Sequence, residues 1–122
     1  MQPSELWRRG VVMALTAEAA EQITAWNVDE STHVQYLPIA DEELFNELWR
    51  MGLFTGINRA CGSVIDDYES EWLQPEQLPA AGRVVGEFLR QRPDGKVGEF
   101  LRGLSALISR ATEARLPLYF EC

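Results

Sequence analysis

Near opposite ends of the chain stand two short apolar runs, and together they constrain the fold more than any other feature. The first follows Arg9 and reads Gly10-Val11-Val12-Met13-Ala14-Leu15-Thr16. Its unbroken apolar centre with two β-branched members suits a buried strand. A helix running from Ser4 could include the same residues, but Gly10 weakens it. The second run, Leu116-Pro117-Leu118-Tyr119-Phe120, also has the character of a strand. A strand in a core needs a partner, because buried backbone N–H and C=O groups left unpaired are costly. Pairing Val11–Leu15 with Leu118–Phe120 supplies one for each, and leaves the rest of the chain to cover a small sheet.

Most of that remainder has a helical pattern. Thr16 is a good N-cap for Ala17-Glu18-Ala19-Ala20-Glu21, with acid near the positive end of the helix dipole. Ala19, Ile23 and Trp26 share one face, and this helix is expected to end near Asn27. Residues 28–40 read as an edge strand or an extended loop, kept short or peripheral by Pro38, which has no N–H to donate. Asp41 then caps a helix with Leu44, Phe45, Leu48 and Trp49 on one side and Glu42, Glu43 and Glu47 on much of the other. Gly52 and Gly56 close or bend it.

Ile57, Cys61, Val64, Tyr68 and Trp72 form a further stripe at helical spacing, with Gly62-Ser63 as its weak point and Pro75 as its end. Pro79 opens a helix whose apolar face is Val84, Val85, Phe88 and Leu89, and Arg92-Pro93-Asp94-Gly95 is a strong turn signal. The last helix carries Val97, Phe100, Leu101, Leu104, Ile108 and Ala111. Val-Gly-Glu-Phe-Leu-Arg occurs at 85–90 and again at 97–102, a period shorter than that of a solenoid, and reads as two neighbouring helices with one amphipathic pattern. The expected fold is α+β: a helix-rich single domain over residues 1–122, with a small sheet pairing the N- and C-terminal strands. A chain of 122 residues removes roughly two-thirds of its unfolded surface from water and can build a core without disulfides or metal.

Charge is the informative feature for function. The formal net charge is −8, and residues 18–76 hold 13 acidic and 2 basic residues, a net of −11. Within that segment Asp66, Asp67, Glu69 and Glu71 place four carboxylates among Tyr68 and Trp72. On a helix, Asp67 and Glu71 would lie one turn apart, and like charges at that spacing disfavour the helix by a few tenths of a kcal/mol per pair unless solvent or a cation screens them. A solvated helix face, a dock for a basic protein and a divalent-metal site are the three readings, although no Gly-punctuated Asp-x-Asp loop supports the last.

Other activities lack a constellation. Cys61, Cys122 and the sole histidine, His33, cannot complete a four-ligand zinc site. With no secretory signal in Met1–Arg9, the two cysteines are expected to be reduced thiols, Cys61 as a small core residue and Cys122 as a frayed end. A nucleophilic triad would have to use His33, which reads as a surface or edge histidine. There is no Gly-x-Ser-x-Gly elbow and no phosphate cradle. Net negative charge argues against nucleic acid, and no uncharged run approaches the ~20 residues that would cross a bilayer. Of the tryptophans, Trp26, Trp49 and Trp72 fall on apolar stripes, whereas Trp7, next to Arg8-Arg9, is a partial lid or an interface anchor.

The strand-then-helix opening Gly10–Glu18, the run Ile65-Asp66-Asp67-Tyr68-Glu69 before a proline-bounded helix, and the Leu116–Phe120 ending occur in that order. In this the chain resembles small bacterial proteins of unknown function, some of them thought to be immunity proteins of polymorphic toxin systems, where a small acidic partner blocks a toxin. The resemblance implies an α+β fold and no catalytic residues. Asn27–Ala40 departs from it, so it does not set the number of strands.

The leading expectation is a cytoplasmic, non-enzymatic, immunity-like protein-binding domain without a cofactor. It would meet a basic protein partner through Asp66, Asp67, Glu69, Glu71, Glu42, Glu43 and Glu47. The alternatives are a small metal-dependent hydrolase using the Asp66–Glu71 carboxylates, and a homodimer that buries the helices' apolar surface.

Overall fold

A computed structural model describes residues 9–25, 27–28, 31–63, 65 and 71–121. Four strands form one antiparallel sheet in the order β2-β1-β4-β3: β1 is Gly10–Ala14, β2 Val34–Pro38, β3 Glu71–Leu73 and β4 Leu118–Glu121. Among the described residues there are five helices: α1 Ala17–Thr24, α2 Glu42–Arg50, α3 Leu53–Cys61, α4 Leu78–Arg90 and α5 Gly95–Ala114. The architecture is α+β. No helix among the described residues is long and apolar enough to cross a membrane.

The two terminal runs pair as their burial demands. Val11 lies opposite Phe120, Val12 opposite Tyr119 and Met13 opposite Leu118. All five residues of β1 are buried, and the strand is flanked on both sides. β2 occupies one edge and ends at Pro38, where the missing N–H costs no central ladder bond. His33 is exposed just before it, and its carbonyl accepts from Leu15 N at 2.8 Å.

Because strand side chains alternate between faces, β1 serves two cores. Val11 and Met13 join Leu73, Leu118 and Phe120 under α2 to α5 in the main core, while Val12 and Ala14 meet Ala19, Ile23 and Val28 in a smaller one. Thr16 caps α1 as expected, accepting from Ala19 N at 3.0 Å. Trp26 and Trp7 lie outside the described residues.

The stripe read from Ile57 to Trp72 breaks at its weak point, and its far end is not helical. α3 ends at Cys61, and Gly62 takes a left-handed backbone (φ 67°) that an L side chain adopts only with strain. Glu71 and Trp72 belong instead to β3, and the Trp72 ring packs on Tyr119 of the neighbouring strand at 5.0 Å. Val64 and Tyr68 lie outside the described residues. Spacings of four and three residues fit a helix, but a three-residue strand is too short to show its own period, so the neighbouring helix imposed its rhythm on the reading. Asn58, on α3, holds the chain after the break. Its Oδ1 accepts from Ile65 N (2.8 Å) and Ser63 Oγ (2.7 Å), and its Nδ2 donates to Ile65 O (2.8 Å).

Cys61 is a free thiol at the rim of the main core, half-buried rather than fully interior. Burial pushes its thiol pKa up, which disfavours the reactive thiolate. Cys122 lies outside the described residues.

The repeated hexapeptide falls on α4 and α5, two helices that pack against each other, but its copies play different parts. Gly86 has open space where a side chain would project, whereas a Cβ on buried Gly98 would collide with the Pro93 carbonyl. Phe88 is half-buried, while Phe100 is interior. A shared amphipathic pattern thus serves one helix on the flank and one against the sheet.

Candidate interaction surface

α2 begins where the chain leaves edge strand β2. Asp41 accepts from Leu44 N at 2.8 Å and so caps the helix, and Glu42 and Glu43 occupy its first turn, where the dipole favours negative charge. Leu44, Phe45 and Leu48 are buried beneath them. The acidic face predicted for this helix therefore exists.

It is also partly neutralised at short range. Glu42 pairs with Arg9 at 3.0 Å, and the Arg9 guanidinium sits 3.8 Å from the centre of the Phe45 ring. Glu47 pairs with Arg50 at 2.6 Å, one turn along the helix. Asp41 binds Lys96, from the start of α5, at 2.5 Å. Among the described residues Glu43 has no ion-pair partner within 4 Å.

Asp41 and Lys96, 55 residues apart in sequence, join the starts of two helices. The Lys96 ammonium, with help from the Leu44 N–H, holds the Asp41 carboxyl below its ordinary pKa of 3.8, and Asp41 holds Lys96 above its ordinary 10.5. A depressed carboxylate stabilises the fold above its unfolded pKa and loses that contribution as pH falls through its folded value. A raised amine contributes below its unfolded pKa and loses it as pH rises through its folded value. The pair thus supports folding between about pH 4 and 10. In thermal melts from pH 5 down to 2, wild type is expected to lose more stability than Lys96→Gln, which has no pair to lose; parallel curves would refute the linkage.

Folding adds a carboxylate that the sequence reading left out. Asp94 comes from the turn before α5 and joins Asp41, Glu43 and Glu47 around a groove of about 320 Å³, with Leu44 and Val97 as apolar lining and Lys96 as the cation among its described lining residues. The signal missed was tertiary: residues 77–122 carry net positive charge, so nothing in their composition marks Asp94 as part of an acidic surface.

The other acidic group does not join this groove through described residues. Glu71 is half-buried on β3, the sheet edge opposite β2. Three interstrand steps separate those edges, roughly 14 Å. Asp66, Asp67 and Glu69 lie outside the described residues, so the metal reading built on them does too. Among the described residues no group of three or more His, Cys, Asp or Glu could hold a metal ion.

No family model, curated protein or solved structure matches the chain. Besides Asp41, which Lys96 holds, the groove offers Glu43 in the first turn of α2, Asp94 just before α5, and Glu47 farther along α2, which is paired with Arg50. Such a surface can attract and orient a cation carried by another molecule. Among the described residues that line it there is no nucleophile paired with a base.

Proposed function

We propose that this chain is a non-enzymatic, cytoplasmic protein-binding domain, immunity-like in the sense its sequence resemblance implies, whose partner carries a basic surface. The observation that carries this reading is the convergence of Asp41, Glu43, Glu47 and Asp94 on one groove with a single lysine. A net charge of −8 acts in the same direction at longer range. The mechanism is electrostatic steering followed by burial of apolar anchors at short range. Asp66, Asp67, Glu69 and Glu71 are a second candidate contact on the same grounds of charge.

The test is capture of partners from the host by the full chain, followed by affinity measurement on the purified pair. Glu43 and Glu47 are reversed to lysine, with Glu42 left in place because it holds Arg9. Exposed ion pairs are worth about 0.2–1 kcal/mol each, so removing and reversing both contacts weakens binding by about tenfold or more. The association rate should also fall steeply with added salt. A second variant reverses Asp66, Asp67, Glu69 and Glu71. Partners that stay bound to both variants with unchanged affinity would overturn the reading, and light scattering on the chain alone identifies self-association.

A further inference from the structure

Beside the acidic groove, and sharing Leu44 and Lys96 with it, runs a trough of about 280 Å³ of different character. Leu37, Pro38, Ala40 and Phe100 line it, with Glu99 at the rim. Leu44 and Phe100 are 5% and 4% exposed, so they belong to the core and form a fixed floor. Lys96, already held by Asp41, stands on the divide between the two depressions.

We infer that the trough and the groove together dock a segment of a basic partner protein in which an apolar side chain stands next to an arginine. This rests on the protein-binding reading and adds the local chemistry of the partner. The apolar side chain covers Leu37, Leu44 and Phe100, and the guanidinium lies among Glu43, Glu47 and Asp94. Charge complementarity selects that occupant: with Asp41 held by Lys96 and Glu47 by Arg50, Glu43 and Asp94 have no ion-pair partner within 4 Å among the described residues. An arginine suits the site better than a lysine, since its planar fork can meet two carboxylates at once. The Glu47–Arg50 pair is no obstacle: the Arg50 side chain is 74% exposed, and such surface pairs exchange partners at little cost. An acidic segment would meet like charge at Glu43, Asp94 and Glu99.

The probes are three blocked tetrapeptides with the sequences Gly-Leu-Arg-Gly, Gly-Ala-Arg-Gly and Gly-Leu-Glu-Gly, titrated into the nitrogen-15-labelled full chain. The first is expected to give saturable amide shifts confined to residues 37–47 and 94–100. The alanine peptide, and the Glu43→Gln and Asp94→Asn proteins with the first peptide, should each weaken binding by about two- to fivefold. The glutamate peptide should leave those amides unmoved. The dock is overturned if the leucine–arginine peptide shifts nothing there, if its shifts centre elsewhere, or if the alanine peptide binds equally well. A captured protein partner that tolerates Glu43→Lys with Asp94→Lys but is lost on reversal at Asp66–Glu71 would overturn the dock and leave the broader proposal standing. Saturable peptide binding with no basic protein captured would remove the broader proposal and with it the protein occupant, leaving only the local preference for an apolar–arginine segment.

Discussion

Replacing Phe54 with alanine is expected to cost about 3–5 kcal/mol of folding stability, the range for removing a large aromatic side chain from a packed interior. Phe54 is fully buried on α3, and its ring lies 5.0 Å from Trp49 and 6.1 Å from Phe45, both of α2. The tilted geometry of these contacts adds about 0.5–1.5 kcal/mol per aromatic pair to simple burial. The consequence reaches the surface, because Phe45 also carries the Arg9 guanidinium that neutralises Glu42. A cavity at Phe54 should therefore lower the urea midpoint and loosen the acidic face together. Phe54→Leu, which keeps more of the volume, should lose less. A loss below about 1 kcal/mol for the alanine variant would show that the three-ring cluster is not a keystone of the core.

Asn58→Ala is the second large effect, and its mechanism differs. Nothing apolar is lost; instead Ile65, 1% exposed, is left with a backbone N–H and C=O that have lost their partners. Each buried polar group stranded in this way costs about 1–3 kcal/mol, so a loss of about 2 kcal/mol or more is expected. The diagnostic readout is hydrogen exchange: the Ile65 amide should lose protection while those of β1 and β4 open only with the global transition. Unchanged protection at Ile65 would mean that the side chain of Asn58 is not what holds this segment.

How far the fold was legible follows from what each signal depends on. β1 and β4 were readable because both are apolar runs whose burial demands pairing, and the demand is nearly independent of context. The caps at Thr16 and Asp41 were readable because capping is local chemistry. β3 was not: three residues carry no period of their own, and Trp72 happens to fall on the stripe of α3. The candidate site was half legible. The acids of α2 stood out in sequence, but Asp94, Glu99 and the apolar trough are products of the α2–α5 approach. The neutralising contacts of Arg9 and Lys96 span 33 and 55 residues and cannot be seen in local composition.

The position of β4 between β1 and β3 has a consequence for how the protein comes into being. During synthesis from the N-terminus, β1 and β2 can associate early, but β3 has no strand to join until residues 118–121 leave the ribosome. Closing the central ladder also means bridging more than a hundred residues, which makes the decisive step a slow, long-range one. Until then the edge of β1 that later meets β4, including Val11 and Met13, has no ladder partner.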